Sequence, residues 1–220
     1  MHNRVIFFDV DGVVVHGFHA RPERRRRWDE NILHDLGIDP DKFNELFILG
    51  PFEHEVLTGR LSLIHALSDV SPRIGFAGSP MQLVDYWLQR DSQLNFQLLD
   101  LIRCLRAAGT GKIYLATNQE HLRAFHLWSN LGLKTYFDDN FYAARLGVLK
   151  PTQEFFEMIT RSIGPQPEPP LFFDDSETVV QAACTFGWEG VLFDSVESCS
   201  SHPWIRTALA RRGSSVFWAG

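Results

Sequence analysis

The sequence predicts an α/β protein with a Rossmann-like core, in which helices cover both faces of a doubly wound parallel sheet, and an inserted helical subdomain. Two patterns in the 220 residues carry this prediction. Short, nearly continuous apolar runs alternate with helical patterns, as is typical of parallel strands covered by helices. One long interval, residues 16–90, contains no convincing strand. We therefore expect βαβ units interrupted by a helical insertion after the first strand.

The predicted strands are short and rich in β-branched and aromatic residues. Most of them lack the polar and apolar alternation of a strand with one face in water, so we expect the sheet to be buried on both sides. In chain order they are RVIFFDV (residues 4–10), KIYLAT (112–117), FYAA (141–144), LFFD (171–174) and GVLF (190–193).

The helices between these strands are marked by apolar residues at helical spacing and by a glycine at the end of each pattern. Three patterns are clear, over residues 91–109, 121–132 and 151–164. A glycine after the last apolar turn favours helix termination. Thr152 precedes the third pattern and is predicted to be its N-cap.

The interval without strands predicts several helices. The clearest is SPMQLVDYWLQR, residues 79–90, where Ser79 can cap a helix that begins with proline. The chain is thus predicted to divide into an α/β core, residues 1–15 and 91–220, and an inserted helical cap, residues 16–90.

The composition narrows the classes of protein. A net charge of −6 argues against a nucleic-acid-binding protein. The three cysteines are odd in number and form no CxxC pair, which favours a reducing compartment. The N-terminus lacks the layout of a signal peptide, and no run of about 18 apolar residues is present. We expect a cytoplasmic protein, monomeric or homodimeric, that binds neither nucleic acid nor membranes.

Polar residues follow the ends of three predicted strands, and a lysine precedes one helix. Because ligands in open α/β sheets bind at the carboxyl ends of the strands, we expect these side chains to share one crevice. They are Asp9, Asp11, Thr117, Asn118, Lys150, Asp174 and Asp175. Four carboxylates repel one another, so a cation is required, and oxygen ligands without paired cysteine or histidine favour Mg²⁺. A cation, an ammonium and neutral donors together suit a phosphoryl group.

Four short motifs that contain these residues resemble those of the haloacid dehalogenase-like hydrolase superfamily. They occur in the family's order: DVDGV at 9–13, ATN at 116–118, LKP at 149–151 and FFDD at 172–175. The resemblance implies a Rossmann-like core, and it implies that residues 16–90 form a helical cap of the C1 type.

The resemblance also implies catalytic roles. Asp9 would be the nucleophile, which forms an aspartyl phosphate, and Asp11 would be the general acid and base. Thr117 and Asn118 would bind the phosphoryl oxygens. Lys150 would hold Asp9 and the group being transferred.

The implied Mg²⁺ ligands are Asp9, the backbone carbonyl of Asp11, and Asp175. Whether Asp174 also binds the ion directly is left open. Asp11 distinguishes reaction types as well, because the dehalogenases of the superfamily lack an acid at that position and need no metal. Its presence, together with the Asp174–Asp175 pair, favours phosphoryl transfer.

These features predict a Mg²⁺-dependent phosphatase, a phosphoric monoester hydrolase that acts on a small phosphorylated metabolite. A cap that closes over the crevice would exclude bulk water and large ligands. Two alternatives stay open. A phosphomutase would transfer the phosphoryl group to a sugar-phosphate hydroxyl instead of water, and a non-catalytic module would bind phosphate for a regulatory purpose.

Each motif, taken singly, also has a simpler structural explanation. Asp-Gly pairs are common in turns, an aspartate pair can cap a helix, and a lysine before proline can be a solvated loop residue. The occurrence of four motifs in order, each at the end of a suitable element, favours the catalytic interpretation.

The run RPERRRRWDE, residues 21–30, is the other conspicuous feature. If Arg24–Arg27 are helical, successive side chains lie about 100° apart and cannot form one basic face. Three interpretations are open: a nucleic-acid patch, one arginine that reaches an anionic part of the substrate, or ion pairs with nearby acids such as Asp29, Glu30 and Asp35.

Overall fold

The computed structural model describes residues 4–215. Five strands in this part of the chain form one parallel sheet, which confirms the predicted fold class. The strands are β1 (Ile6–Phe8), β2 (Ile113–Thr117), β3 (Asp139–Tyr142), β4 (Leu171–Asp174) and β5 (Glu189–Leu192). Their spatial order is β3-β2-β1-β4-β5, so β1 lies at the centre of the sheet.

Helices account for most of the remaining regular structure. In the inserted segment they are α1 (Ile32–Leu36), α2 (Pro40–Phe43), α3 (Leu63–Val70) and α4 (Pro80–Arg90). Those of the α/β core are α5 (Phe96–Ala107), α6 (His121–Phe125), α7 (Ala143–Leu146), α8 (Gln153–Ile163), α9 (Glu177–Phe186), α10 (Val196–Ser201) and α11 (Pro203–Ser215). Two π-helical segments, Asn44–Val56 and His126–Asn130, and two 3₁₀ turns, Pro22–Arg24 and Leu133–Thr135, complete the set described. Within residues 4–215 no helix combines the length and the apolar character needed to cross a bilayer.

Successive residues of β1 face opposite sides of the sheet. Ile6 and Phe8 belong to an apolar cluster that includes Leu98 of α5. Phe7, between them, belongs to a second cluster that includes Phe155 of α8. All three β1 residues are fully buried because helices cover both faces, as the continuous apolar run predicts.

The predicted strands are confirmed in number and order, with shifts at their ends. LFFD forms β4 as predicted, and β1 is shorter than its apolar run. The segment FYAA is the least accurate prediction, because β3 begins earlier, at Asp139, and Ala143 begins the short helix α7. That helix ends at Gly147, whose φ of 77° is in the left-handed region that favours glycine.

Helix boundaries follow the predicted signals. Ser79 caps α4 by accepting a hydrogen bond from the backbone N–H of Gln82. Thr152 is the N-cap of α8, as predicted, and has an extended backbone, although its side chain makes no capping hydrogen bond. Its hydroxyl instead donates to the carbonyl of Leu149 at 2.6 Å, within the loop that carries the LKP motif.

The inserted segment is helical, and its buried apolar residues form a cluster of their own, which runs from Ile32 to Tyr86. Two antiparallel linkers, residues 14–17 and 91–95, connect it to the core. The N–H of His16 donates to the carbonyl of Gln93, and the N–H of Asn95 donates to the carbonyl of Val14, both at 2.8 Å. These observations support the predicted division into a core, residues 1–15 and 91–220, and a cap, residues 16–90, which we carry forward as a proposal.

The arginine run is not helical, and the sequence prediction about its geometry is wrong. A 3₁₀ turn ends at Arg24, and Arg25 has the extended backbone angles φ −66° and ψ 137°. Arg24 pairs with Asp194 at 2.8 Å, and Arg25 Nε donates to the carbonyl of His19 at 2.8 Å. Because these partners lie outside the run, side chains and backbone are fixed by surrounding loops, and helical spacing does not apply.

The side chain of Asn95 connects the loop before the inserted segment to the start of α5, and its substitution tests how much this connection stabilises the protein. Its Oδ1 accepts from the N–H of Leu98 at the start of α5, and its Nδ2 donates to the carbonyl of Val13, with the side chain buried. We expect Asn95→Ala to lower the free energy of unfolding by roughly 2 to 4 kcal/mol, because a cap is lost and a buried carbonyl loses its donor. Urea unfolding measures this change.

Two control variants separate the two contributions of Asn95. Asn95→Ser keeps a capping oxygen but cannot reach Val13, so it is expected to lose less stability than the alanine variant. Ser79→Ala removes the exposed cap of α4 alone and should cost about 1 kcal/mol. An Asn95→Ala loss no larger than that of Ser79→Ala would show that the contact with Val13 contributes nothing.

Candidate active site

The seven predicted site residues lie together around one cavity at the carboxyl edge of the sheet. The cavity has a volume of about 1020 Å³ and extends between the core and the inserted helices. The strand register explains the convergence, since β1 pairs with β2 and β4 in parallel and the three strands end side by side. Its lining includes Asp9, Asp11, Thr117, Asn118, Lys150, Asp174 and Asp175.

Lys150 carries the positive charge at the floor of this cavity. Its Nζ lies 2.8 Å from Asp9 Oδ1 and donates a 2.6 Å hydrogen bond to Asp174 Oδ2. The ammonium is almost fully buried, which by itself would lower the pKa of Lys150. The carboxylates of Asp174 and Asp9 outweigh that effect and raise the pKa of Lys150, so the side chain stays charged.

Three buried carboxylates form the acidic side of the site. Asp9, Asp174 and Asp175 each place an oxygen within 4.8 Å of the other two. Burial, together with the neighbouring acids, raises the pKa of Asp9 to about 7 and that of Asp175 to about 6. The pKa of Asp174 is also raised, chiefly by burial. One ammonium does not satisfy three acids, so the donor set fits a hard divalent cation such as Mg²⁺.

Among these acids, the oxygens differ in how many hydrogen bonds they accept. Both oxygens of Asp174 are engaged, Oδ2 by Lys150 and Oδ1 by the N–H of Ser176 at 2.9 Å. Asp175 Oδ2 accepts from the N–H of Ala20 at 2.6 Å. In the described part of the chain, Asp9 Oδ2 and Asp175 Oδ1 accept no hydrogen bond, so they are the oxygens best placed to bind an added ligand.

The turn after Asp9 requires glycine. Gly12 has a φ of 76°, and a Cβ at this position would lie 2.3 Å from Asp175 Oδ2. Residues on the following loop also contact Asp175, since His19 Nδ1 is 3.0 Å from the same oxygen. Burial lowers the pKa of His19, which keeps the ring neutral near pH 7. The DxDG motif thus brings the first loop against the FFDD motif.

Thr117 and Asn118 differ in what their side chains contact. The Thr117 hydroxyl, at the end of β2, has no hydrogen-bond partner among residues 4–215, so it can donate to a ligand in the cavity. The amide of Asn118 accepts from the Lys150 N–H at 2.9 Å and donates to the Lys150 carbonyl at 3.0 Å. Asn118 therefore fixes the lysine loop, and phosphoryl binding by Asn118 stays a prediction.

Asp11 is held by a residue that the sequence analysis did not identify. Arg123 forms two parallel hydrogen bonds to its carboxylate, NH1 to Oδ2 at 2.8 Å and NH2 to Oδ1 at 2.7 Å. Gln119 Nε2 donates to Oδ2 as well. The only hint in the sequence is helical spacing, which places Arg123 on the same helix face as the buried Leu127, four residues later.

Arg123 has a second acidic partner, Asp91, at the point where the chain returns from the inserted segment to the core. Arg123 NH2 lies 2.9 Å from Asp91 Oδ2, which also accepts from the indole N–H of Trp87 at 3.0 Å. Burial raises the pKa of Asp91 to about 6 even though Arg123 opposes that shift. The guanidinium thus lies between Asp11, in the loop after β1, and Asp91, in the segment that returns to the core.

The arginine run contributes to the opposite wall of the cavity. Arg25, Arg26 and Arg27 line it, whereas Arg24 does not. Arg27 pairs with Asp29, as one of the sequence interpretations anticipates. In the structure described, Arg25 has no acidic partner, and its guanidinium lies 4.4 Å from the centre of the Phe18 ring.

Comparison with known proteins agrees with the fold and identifies the family. Residues 3–187 match the family model of the haloacid dehalogenase-like hydrolases. Fructose-1-phosphate phosphatase YqaB of Escherichia coli strain K12 is 26% identical over 186 residues, which are 84% of this chain and 94% of that protein.

Solved structures resemble the whole molecule at low sequence identity. A HAD family enzyme of Bacteroides thetaiotaomicron, in complex with magnesium and inorganic phosphate, superposes with a TM-score of 0.71 at 20% identity, covering 87% of this chain and 94% of its own. A HAD-like hydrolase of Porphyromonas gingivalis gives a TM-score of 0.64 at 21% identity, with both chains fully covered. At such identities the likeness establishes the shared fold.

The raised carboxylate pKa values predict how a divalent cation stabilises the protein. Between the usual pKa of a carboxyl and about 7, the folded protein binds more protons than the unfolded chain, so without a cation stability falls as pH rises. Mg²⁺ binds the ionised carboxylates and reverses this loss. At about 100 times its Kd the gain is about 2.7 kcal/mol, which raises Tm by roughly 5 to 10 °C.

We therefore expect a large Mg²⁺-induced Tm shift near pH 8 and a much smaller one near pH 5, where Asp9 and Asp175 are protonated. Thermal unfolding with and without the ion measures it. Asp175→Asn should remove most of the shift, and Asp194→Asn, which alters an exposed acid outside the cavity, should keep it. Equal shifts at both pH values would contradict the carboxylate site.

Proposed function

The chain belongs to the haloacid dehalogenase-like hydrolases, and we propose that it is a Mg²⁺-dependent phosphatase that hydrolyses a small phosphorylated metabolite through an aspartyl phosphate on Asp9. One observation carries this proposal. A buried carboxylate with a free oxygen, Asp9, lies beside an ammonium and two further acids at the bottom of the cavity between the core and the inserted helices. Such a set favours attack on a phosphorus atom whose charge is neutralised on several sides.

The first half of the reaction transfers the phosphoryl group to the protein. An oxygen of Asp9 attacks phosphorus while the bond between phosphorus and the leaving oxygen breaks, and a proton from the Asp11 carboxyl gives the free alcohol. Lys150 and the Thr117 hydroxyl stabilise the charge that develops on the phosphoryl oxygens. When bound, Mg²⁺ supplies further neutralisation of the phosphoryl charge, with Asp9, the Asp11 carbonyl and Asp175 as its proposed ligands.

The second half releases phosphate and restores the acid. Asp11, now ionised, takes a proton from a water molecule whose oxygen attacks phosphorus. The bond between phosphorus and Asp9 breaks, which returns Asp9 as a carboxylate and Asp11 as a protonated acid. Asp174, with both oxygens engaged by Lys150 and Ser176, serves to hold the lysine in place.

The substrate class follows from the size of the cavity and from the cap. The inserted helices lie over the crevice, and a volume of about 1020 Å³ suits a small molecule. The named activity of the Escherichia coli relative makes sugar phosphates the first compounds to test. A cytoplasmic location and a monomeric or homodimeric state stay predictions from the sequence.

Substitution of the nucleophile tests the proposed activity. We expect wild type to release phosphate from p-nitrophenyl phosphate and from at least one sugar phosphate when Mg²⁺ is present. Asp9→Asn should lower kcat by at least about 10³-fold, because the carboxamide cannot form the phosphoenzyme. A thermal unfolding transition like that of wild type would show that the fold persists.

The same assay separates the alternatives. A phosphomutase would convert one sugar phosphate into an isomer without net release of phosphate. A non-catalytic module would form no beryllofluoride adduct at Asp9 and would show no turnover. Absence of Mg²⁺-dependent phosphate release by wild type across a broad panel of phosphorylated metabolites would refute the proposed function.

Arg25 and Arg26 are the members of the arginine run best placed to reach an anionic part of the substrate. Both line the cavity and, within residues 4–215, have no acidic partner; Arg26 donates to the side chain of Gln93, so Arg25 is the first of the two to substitute. We expect Arg25→Ala to raise KM about 10-fold with little change in kcat, the loss of one charged contact. Arg24→Ala is the matched control, because Arg24 pairs with Asp194 away from the cavity. Unchanged KM values for Arg24, Arg25, Arg26 and Arg27 variants would exclude a substrate contact by this run.

A further inference from the structure

The ion pair between Arg123 and Asp11 connects a buried cation with an acid that is partly exposed. The Arg123 side chain is only 2% exposed and that of Asp11 is 19% exposed, although both residues contribute to the wall of the cavity. Burial by itself would lower the pKa of the guanidinium, but Asp11 and Asp91 reverse this and raise it. The cation is therefore permanent and fixed, and the acid it holds is accessible to a substrate.

We propose that Arg123, supported by Asp91, is a positioning residue for proton transfer: its guanidinium holds the Asp11 carboxylate in one orientation. This inference rests on the proposed function, in which Asp11 is the general acid and base. Two parallel hydrogen bonds fix the plane of a carboxylate in a way that a single bond cannot. In this role Arg123 acts on the leaving group through Asp11.

The hydrogen bonds also assign different tasks to the two oxygens of Asp11. Oδ2 accepts from both Gln119 and Arg123, so its two acceptor positions are filled. Oδ1 accepts only from Arg123 among the described residues, which leaves one position open. The geometry therefore identifies Oδ1 as the oxygen that exchanges the proton with the leaving group and then with water.

Asp91 holds Arg123 from the other side. Its carboxylate contacts the guanidinium, and its backbone carbonyl accepts from Arg123 NH2 at 3.2 Å. Gly17, on the other linker, permits this approach, because a Cβ there would lie 2.3 Å from Asp91 Oδ1. The ring of Trp87, in the last turns of α4, lies 5.5 Å from the guanidinium carbon. The linkers and a helix of the inserted segment thus hold the guanidinium of Arg123 in the position from which it contacts Asp11.

A purely structural role for this ion pair makes a different prediction from a positioning role. If Arg123 only stabilised the fold, its loss would slow the enzyme equally for all substrates. If it positions the general acid, the loss in kcat/KM, which reports phosphoryl transfer to the protein, depends on the leaving group. An alkyl phosphate needs a proton on its leaving oxygen, whereas a nitrophenyl phosphate expels a stable phenolate without one.

The experiment compares Arg123→Lys and Arg123→Ala with wild type on an alkyl phosphate substrate and on p-nitrophenyl phosphate. We expect kcat for the alkyl phosphate to fall about 10²-fold, within the usual contribution of general acid catalysis, at unchanged KM. With p-nitrophenyl phosphate, a burst of nitrophenol equal to the enzyme concentration should precede slow turnover, because the first step stays fast while water activation slows.

Rescue and control variants complete the test. Millimolar guanidinium should restore part of the activity of Arg123→Ala, and Arg123→Lys should lie between this variant and wild type because an ammonium keeps the charge without the paired bonds. Asp91→Asn should show a weaker form of the same leaving-group dependence. Arg161→Ala, which removes an exposed arginine of α8 paired only with Glu157, should leave every value unchanged.

The outcomes distinguish the positioning role of Arg123 from a purely structural role, and both from a failure of the proposed function. If Arg123→Ala does not fold, Arg123→Lys and Asp91→Asn still carry the comparison, since both keep a polar group in the buried position. An equal loss for both substrates, with no burst, would overturn the positioning role while leaving the phosphatase in place. An inactive wild type would overturn the proposed function, and this inference with it.

Discussion

The ammonium of Lys150 is the charge on which the rest of the site depends. It lies between Asp9 and Asp174, where little water can reach any of the three groups. Without it, two adjacent carboxylates would be held there by protonation alone, a tendency that their raised pKa values already show. The parallel sheet supplies the acids at the ends of β1 and β4, and Asn118 at the end of β2 holds the lysine loop against them. The strand ends and the charge of Lys150 therefore favour the same arrangement of Asp9 and Asp174.

Arg123 supplies the positive charge beside Asp11, as Lys150 does beside Asp9 and Asp174, but it is a different kind of cation. A lysine provides a point charge that suits two carboxylates approaching from different strands, whereas a guanidinium provides a planar fork that sets the orientation of one carboxylate. The need also differs between the two acids. In its proposed role as nucleophile, Asp9 requires a free oxygen and a neutralised environment, whereas the proposed proton transfer by Asp11 requires a defined orientation of its carboxylate.

The sequence allowed prediction of those features that follow from strand ends. Asp9, Thr117 and Asp174 converge because parallel strands of a single sheet must end at the same edge, and a short apolar run shows where each strand ends. The contact between Arg123 and Asp11 spans 112 positions of the chain and leaves only the weak signal of one charged residue on a buried helix face. The arginine run could not be predicted either, because its conformation depends on distant partners and not on helical spacing.

Lys150 and Arg123 are held by different parts of the molecule, and only Arg123 contacts the junction with the inserted helices in the contacts described above. Every contact of Lys150 described above lies within the α/β core, so the surroundings of Asp9 on this side are built by the strand ends and loops of the core. Arg123 is held by Asp91 and packs near Trp87, so the orientation of Asp11 depends on where the inserted segment joins the core. The insertion therefore does more than cover the crevice. Since its junction holds the cation that we propose orients Asp11, a change in the position of the inserted segment is expected to alter proton transfer by Asp11 before it alters Asp9, the proposed nucleophile.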